Sequence, residues 1–195
     1  DMNDSIQCWA SDDMAAVPSG SYSEIAGGAF FCALSTLGQI ECWSANSNSL
    51  GFSVPQGAGH TGLVVQGNNG CALDVNNELV CWGTSNQGLN SPPSGTFTQI
   101  SLDSNIACAL NTNQRAECWG DHTLSPPSID FVKVVMVDAS NACGLSSNGV
   151  VTCWGGSSSN LVTGDLFSDI EFSGALCGLT LDGNLKCWHN IDVVL

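Results

Sequence analysis

With 195 residues, 18 acidic side chains against three basic ones and a net charge of −15 at pH 7, the chain lacks the clustered Lys and Arg that nucleic acids and anionic lipids require. Hydrophobic residues make up 43% of the chain and charged residues only 11%, so the surface must be polar but largely uncharged. Cations, basic proteins or neutral glycans are better partner candidates, although acidity that only keeps a secreted protein soluble explains the same charge.

In chain order, the first of the predicted repeat units is incomplete. Residues 1–20 hold a third strand and a linker, and residues 191–195 start a further unit. Five complete units cover residues 21–60, 61–97, 98–130, 131–165 and 166–190. Each complete unit carries three short runs rich in β-branched and aromatic residues, which favour β-strands. The first run holds a branched aliphatic residue at Ile25, Val64, Ile100, Val134 or Ile170.

The cysteines define the repeat. Five pairs share a separation of ten residues: Cys32 and Cys42, Cys71 and Cys81, Cys108 and Cys118, Cys143 and Cys153, and Cys177 and Cys187. Tryptophan follows each second cysteine and also Cys8, at Trp9, Trp43, Trp82, Trp119, Trp154 and Trp188. Eleven cysteines without a CxxC pair indicate an oxidising compartment rather than zinc or redox chemistry. We therefore expect an extracellular or cell-surface protein, with no direct membrane insertion because no run of 18 apolar residues occurs.

The spacing of ten predicts a hairpin in which three strand residues on each side flank a three-residue turn. Such a turn needs positive φ six positions after each first cysteine, where Gly38, Asn77, Gln114, Gly149 and Gly183 stand. Gln114 is the residue that departs from this rule. The two cysteines then face each other at a Cα separation of about 4.5 to 5.5 Å, which predicts one disulfide per hairpin.

The tryptophans are expected to fill the gaps between units. A lone hairpin is marginal in water, so each unit must stack on its neighbours, and large side chains borne on the sheet suit that contact. The alternative is a row of exposed aromatic rings that bind sugars.

These units resemble the regulator of chromosome condensation repeat in its cysteine-bearing variety, with CAL, a turn and CWG, then a Gly-Gln segment and prolines. The nearest local matches are CALDVNNELVCWGTSNQGLNSPPSGTF, residues 71–97, and CALNTNQRAECWGDHTLSPPSIDF, residues 108–131. Similar repeats occur in plant crinkly-type receptor ectodomains and in secreted proteins, as seven-bladed propellers. The resemblance implies an all-β fold, with three- to four-stranded blades of a β-propeller, either complete or as a partial, open array.

The chain departs from that pattern in three respects. It has too few units for seven blades, and Ser44 and His189 stand where glycine usually follows tryptophan. The founding member's chromatin role demands a basic or specialised surface, which a net charge of −15 does not offer, so that role is not carried over.

Cys8 has no partner in this pattern, because the partial first unit lacks its cysteine-bearing second strand. Three explanations stay open: the chain is an excerpt of a longer protein, it is an open array completed by a neighbouring chain, or Cys8 is a tolerated free thiol. The first two predict a disulfide from Cys8 to a partner outside residues 1–195.

Chemistry typical of enzymes is not evident in the sequence. No GxSxG, HExxH or glycine-rich phosphate loop occurs, and His60, His122 and His189 lie in linkers at unrelated repeat positions. Asp12, Asp13 and Glu41 are expected to be solvated surface. We expect no catalytic residues, no metal site and no cofactor, while Asn3 in Asn3-Asp4-Ser5 is a candidate glycosylation site.

Two functions fit these expectations. The first is a secreted, non-enzymatic structural or adhesive component of an extracellular, cell-surface or filamentous assembly. Its partners would be other protein chains, including copies of itself arranged head-to-tail, together with glycans. The alternative is a ligand-binding propeller of a receptor ectodomain, or a secreted protein inhibitor.

Overall fold

The computed structural model describes residues 5–8, 17–44, 51–84, 88–121, 124–156 and 164–188. The chain divides into two compact units, Asp1–Thr96 and Phe97–Leu195. Sequence predictions that concern Asn3, Trp9, Asp12, Asp13, His122, His189 and residues 191–195 lie outside the described residues.

The regular structure of the described residues consists of five three-stranded antiparallel sheets, which we call blades 1 to 5. The first unit holds blade 1, with β1 (Tyr22–Gly27), β2 (Phe31–Ser35) and β3 (Ile40–Trp43), and blade 2, with β4 (Thr61–Gln66), β5 (Asn69–Leu73) and β6 (Leu79–Gly83). The second unit holds blade 3, with β7 (Phe97–Asp103), β8 (Ile106–Asn111) and β9 (Ala116–Gly120), blade 4, with β10 (Lys133–Asp138), β11 (Asn141–Leu145) and β12 (Val151–Gly155), and blade 5, with β13 (Phe167–Phe172), β14 (Leu176–Thr180) and β15 (Leu185–Trp188). The three strands of every blade pair in chain order, so the expected all-β fold is confirmed.

The hairpin turns are those that the spacing predicts. In blade 1, the Ser35 N–H donates to the Gln39 carbonyl at 2.9 Å and the Gly38 N–H donates to the Ser35 carbonyl at 2.7 Å, and the same pair of bonds recurs in all five blades. Gln114 adopts φ 63° like its glycine and asparagine counterparts, so its side chain does not change the turn. Its carbonyl also accepts from the Phe131 N–H at 2.8 Å, which ties this hairpin to the start of the next blade.

A small polar residue opens every turn, a feature that the sequence analysis missed. In blade 2, Asp74 Oδ1 accepts from the N–H groups of Asn76 and Glu78, both at 2.8 Å, as expected of an Asx turn. The residues at this position are Ser35, Asp74, Asn111, Ser146 and Thr180. Their shared place three residues after the first cysteine is the signal that could have identified them.

One disulfide closes each hairpin, as predicted, and each pair of cysteines is also a cross-strand pair. The Cα separations are 3.9 to 4.1 Å, shorter than the range expected from sequence. Hydrogen-bonded and non-bonded residue pairs alternate along each hairpin, starting from the bonded pair that closes the turn. The cysteines lie three pairs further on and therefore form a non-bonded pair, where antiparallel strands lie closest.

The first strand of blade 2 is shifted by one residue from the expectation. Val64 pairs with Cys71, whereas Ile100 of blade 3 pairs with Ala109, so Leu63 and not Val64 occupies the shared aliphatic position. Leu63 stands eight residues before Cys71, as Ile100 stands eight residues before Cys108. Leu63 is accordingly buried, while Val64 is only half-buried.

Three residues before that aliphatic position, every blade buries a ring. The rings belong to Tyr22, His60, Phe97, Phe131 and Phe167. His60, which the sequence places in a linker, directly precedes β4 and is the blade 2 member of this series. Its Nδ1 contacts the Gly38 carbonyl at 3.0 Å, and since a carbonyl only accepts, this contact requires the proton on Nδ1.

Candidate interaction faces of the blades

Each blade has two faces, which we name by position: the incoming face carries the tryptophan and the first-strand aliphatic residue, and the outgoing face carries the Leu of the CAL or CGL segment. Within each unit, the outgoing face of one blade packs on the incoming face of the next. In the first unit, Trp82 on the incoming face of blade 2 lies in one buried cluster with Leu34 and Ile40 from the outgoing face of blade 1. Leu63, Val65 and Ala72 of blade 2 belong to the same cluster.

The same arrangement recurs twice in the second unit. Trp154 and Val134 of blade 4 share a buried cluster with Ile106 and Leu110 of blade 3. Trp188 of blade 5 packs against a cluster formed by residues of blades 4 and 5, among them Val135, Leu145, Val151 and Ile170. The rings of Phe131 and Trp154 lie 5.3 Å apart between centroids, and those of Phe167 and Trp188 lie 5.5 Å apart.

Trp43 of blade 1 contacts a different set of residues. It shares a buried cluster with Tyr22 and Ala33 of its own blade, and Ile6 and Val17 pack against that cluster. Ile6 stands two residues before Cys8, as Ile40 stands two before Cys42. By this register Ile6, which packs against the Trp43 cluster, is the counterpart of Ile40 in the Trp82 cluster. Cys8 itself carries no disulfide and is partly buried, and its proposed partner stays a prediction.

The buried tryptophans contribute shape and apolar area rather than a hydrogen bond. The indole N–H groups of Trp43, Trp82 and Trp154 are buried without an acceptor. Trp119 is also buried. Inter-blade packing by these side chains stays a prediction.

Polar side chains on the first strands also join successive blades. Glu24 of blade 1 accepts from the Leu63 N–H of blade 2 at 2.9 Å. Gln99 of blade 3 donates to the Val134 carbonyl of blade 4 and accepts from its N–H, both at 2.8 Å. Such hydrogen bonds satisfy backbone groups of the next blade, and they join residues that lie 35 to 39 positions apart in the chain.

All three cationic side chains of the chain are used in ion pairs. Arg115 of blade 3 pairs with Asp130 at 3.0 Å, Lys186 pairs with Asp165, and Lys133 of blade 4 pairs with Asp169 and Glu171 of blade 5. Burial alone lowers the pKa of Lys133, but hydrogen bonds and charge attraction from the two carboxylates outweigh it and raise that pKa. The remaining acidic excess has no cationic side chain to neutralise it.

Tyr22 gives a pH-dependent test of the blade 1 structure. Its hydroxyl donates to Glu41 Oε2 at 2.9 Å, and burial, this hydrogen bond and the Glu41 charge raise the pKa of Tyr22 from 10.0 to about 12. The folded state therefore favours the neutral phenol, and this contribution to stability is lost as the pH rises from 10 to about 12. Because Tyr22 is the only tyrosine, absorbance at the wavelength of tyrosinate reports on it alone.

We expect the absorbance midpoint near pH 12 in the native protein and at a lower pH, but still above 10, in Glu41→Ala, because burial of the phenol remains. Equal midpoints in the two proteins would show that the hydrogen bond does not form. The Tyr22→Phe variant, which has no phenol, supplies the baseline.

His60 allows a second test, of the ring series. His60→Phe places in blade 2 the ring that three other blades already use, so we expect a cost below about 1 kcal/mol from the lost hydrogen bond. His60→Ala leaves a cavity and is expected to cost about 2 to 3 kcal/mol. Urea unfolding measures both. If the two variants lose equal stability, the ring is not what the position requires.

Two surface hollows accompany these faces. One, of about 350 Å³, is lined by Ile129, Asp130, Ser146, Ser147, Asn148, Val150 and Thr152 of blade 4 and its preceding linker. The other, of about 300 Å³, is lined by Ser5, Ile6, Gln7 and the start of β1 from Tyr22 to Ile25, on the incoming side of blade 1. Neither hollow was expected from the sequence, because each is formed by linker residues and an exposed strand edge.

Within the described ranges, no three His, Cys, Asp or Glu side chains come together as metal ligands would. In the same part of the chain there is no helix with the length and hydrophobicity needed to cross a membrane.

Solved structures are similar to this chain in fold. The ectodomain of the receptor kinase CR4 from Physcomitrella patens matches with a TM-score of 0.70 at 21% identity, over 84% of this chain and 51% of that one. The crinkly ectodomain of the receptor kinase ACR4 from Arabidopsis thaliana matches with a TM-score of 0.67 at 25% identity, over 86% of this chain and 65% of that one. Prp20p from Saccharomyces cerevisiae, characterised by its binding to Gsp1p and histones, matches with a TM-score of 0.58 at 13% identity, over 74% and 48%.

These likenesses define the class of the protein as a tandem-repeat protein with propeller-type blades. Its repeats have the fold of the regulator of chromosome condensation type, in the variety that carries one disulfide per hairpin. The chain spans about half to two thirds of the length of the two plant ectodomains. No family model and no curated protein matches it. The five disulfides and the ectodomain neighbours suggest an extracellular protein.

Proposed function

We propose that the chain is a secreted, non-enzymatic repeat module that serves as a structural or adhesive component of an extracellular or cell-surface assembly. The observation that carries this proposal is the position of the cysteines, tryptophans and cationic residues, which lie within or between blades. Disulfides close the hairpins, tryptophans lie in clusters shared by adjacent blades, and two of the three cations join one blade to the next or to its linker. This chemistry favours a rigid scaffold.

The acidic, weakly charged surface supports a protein partner rather than nucleic acid. Because the three cations are already paired, none is left to bind a polyanion, and a net charge of −15 favours cationic or neutral partners. Partners of the proposed module are therefore other protein chains, with glycans as further candidates.

The test uses native material. Antibodies against the chain should label intact, unpermeabilised cells or their surrounding matrix, and mild non-reducing extraction should release the protein in species larger than one chain. A secreted monomeric protein from the same source is the control. Recovery only as a freely diffusing monomer would contradict the proposed role.

A ligand-binding propeller of a receptor ectodomain, or a secreted protein inhibitor, is the second candidate. The two ectodomain neighbours favour it, as does the 350 Å³ hollow in which Ile129 and Val150 lie beside Asp130. The other lining residues carry hydroxyl and amide groups and Asp130 already pairs with Arg115, so this hollow suits a neutral peptide with aliphatic side chains. Affinity capture from extracellular extract would then yield one stoichiometric partner, lost in Val150→Arg and kept in Leu37→Arg. Equal capture by both variants would exclude this hollow.

A further inference from the structure

The outgoing faces of the five blades allow a comparison at equivalent positions. The Leu of the CAL or CGL segment is 1% exposed at Leu34, 4% at Leu73, 2% at Leu110 and 2% at Leu145, but 41% exposed at Leu179 of blade 5. The residue that begins the third strand is 7% exposed at Ile40, 8% at Leu79 and 5% at Val151, but 70% exposed at Leu185. Blade 5 therefore exposes the apolar side chains that the other blades bury.

The incoming face of blade 1 shows the matching difference. At the aliphatic position of the first strand, Leu63, Ile100, Val134 and Ile170 are at most 8% exposed, whereas Ile25 is 56% exposed. The 300 Å³ hollow lined by Ile6, Tyr22 and Glu24 adjoins Ile25. Ile6 packs against the cluster of Trp43, so one part of this face is covered and the part around Ile25 is not.

We propose that the outgoing face of blade 5 docks on the incoming face of blade 1 of a second copy of this chain, so that copies associate head-to-tail. The inference rests on the proposed function, for which it names the partner and the contact. The contacts within the chain supply the template, because outgoing-face aliphatics pack under an incoming-face tryptophan and aliphatic residue between blades 1 and 2 and between blades 3 and 4. One molecule carries both halves of that contact at its two exposed faces.

The register of the third strand specifies how the faces fit. Leu185 stands two residues before Cys187-Trp188, as Ile40 stands before Cys42-Trp43 and Ile6 before Cys8-Trp9. Leu185 of the second copy thus takes the place of Ile6 on Trp43, and Leu179 covers Ile25. Residues 5–8 offer this face a single aliphatic side chain, whereas a whole blade offers two.

Charge gives the contact a characteristic salt dependence. Each copy carries a net charge of −15, so two copies repel each other at low ionic strength. Because the docking faces meet through aliphatic side chains, added salt screens the repulsion without weakening the contact. Association should therefore tighten between low and physiological salt.

Sedimentation over a range of protein concentrations tests the proposal with two exposed-site variants. The native chain is expected to increase in mass with concentration. Leu185→Arg and Ile25→Arg are each expected to remain monomeric alone, because each has lost one face. A 1:1 mixture of the two is expected to form heterodimers and nothing larger, because it retains one intact pair of faces.

Leu37→Arg is the matched control, because Leu37 is 70% exposed like Leu185 but lies in the turn between β2 and β3. It should associate as the native chain does. A native chain that stays monomeric at its highest soluble concentration overturns the proposal. So does self-association of Ile25→Arg that Leu185→Arg lacks, which would mean that two outgoing faces pair with each other.

The outcome separates this contact from the proposed function. If native surface material is oligomeric but both arginine variants assemble normally, the head-to-tail contact is wrong and the structural role stands. If the purified chain associates head-to-tail but native material is a free monomer, the structural role is wrong.

Discussion

Replacing Trp154 by Ala is expected to lower the free energy of unfolding by about 3 to 5 kcal/mol, the range for removing a large aromatic side chain from a core. Trp154 is buried among Ile106, Leu110, Phe131 and Val134, so its loss leaves a cavity between blades 3 and 4. Urea unfolding followed by far-ultraviolet circular dichroism measures the change without depending on tryptophan fluorescence.

The matched variant is Trp154→Phe. The indole N–H of Trp154 has no acceptor, so a phenyl ring loses area but no hydrogen bond, and we expect a cost of about 1 to 2 kcal/mol. Equal losses in the two variants would show that ring packing does not stabilise this contact. If Trp154→Ala folds normally and instead loses affinity for a sugar, the alternative interpretation of the tryptophans is correct.

Removing the bridge between Cys108 and Cys118 by a double change to Ala is expected to cost about 3 kcal/mol, from the loop-closure entropy of a cross-link spanning this many residues. The bridge closes a hairpin whose Cys108 side is fully buried, so lost packing adds to the effect. Thermal unfolding under non-reducing conditions measures the shift.

Cys8→Ala is the control for the disulfide variant. Cys8 carries no disulfide within the chain, so its replacement should change the free energy of unfolding by less than about 0.5 kcal/mol. A double variant as stable as the native protein would mean that the bridge only restrains an already rigid hairpin. A large loss in Cys8→Ala would point to packing by the thiol itself.

The hairpins were predictable because their determinants are local. A separation of ten residues and a turn residue six positions after the first cysteine together define strand pairing, disulfides and turn geometry. Gln114 shows that the turn forms even where the residue at its positive-φ position does not favour that conformation. Its positive φ is imposed by the bonds of the turn and by the bond from Phe131, not by its own preference.

The first strands were less predictable because irregular register shifts their spacing. The buried ring precedes the first cysteine by ten residues at Tyr22 and by twelve at Phe131, and His60 conceals the series by residue type. A search for a ring three residues before a branched aliphatic residue would have found all five members and would have placed Leu63 correctly.

The contacts between blades could not be predicted from the local sequence around the residues that make them. Glu24 and Gln99 each bond to a strand more than thirty residues away, and neither differs in type or neighbourhood from an ordinary surface residue. The exposure of Leu179 and Leu185 could not be predicted either, because the residues equivalent to Leu179 are buried in four other blades and those equivalent to Leu185 in three.

Each disulfide lies within one hairpin and spans only ten residues, and this confines what tension can do to the chain. When the chain is pulled, the linkers and first strands can extend. Each disulfide keeps the loop that it closes from extending, which amounts to roughly 30 Å of chain at about 3.4 Å per residue. The molecule would therefore lengthen in short, separately recoverable steps while its hairpins stay closed. A reducing environment would open the bridges, so that the hairpin loops could extend as well.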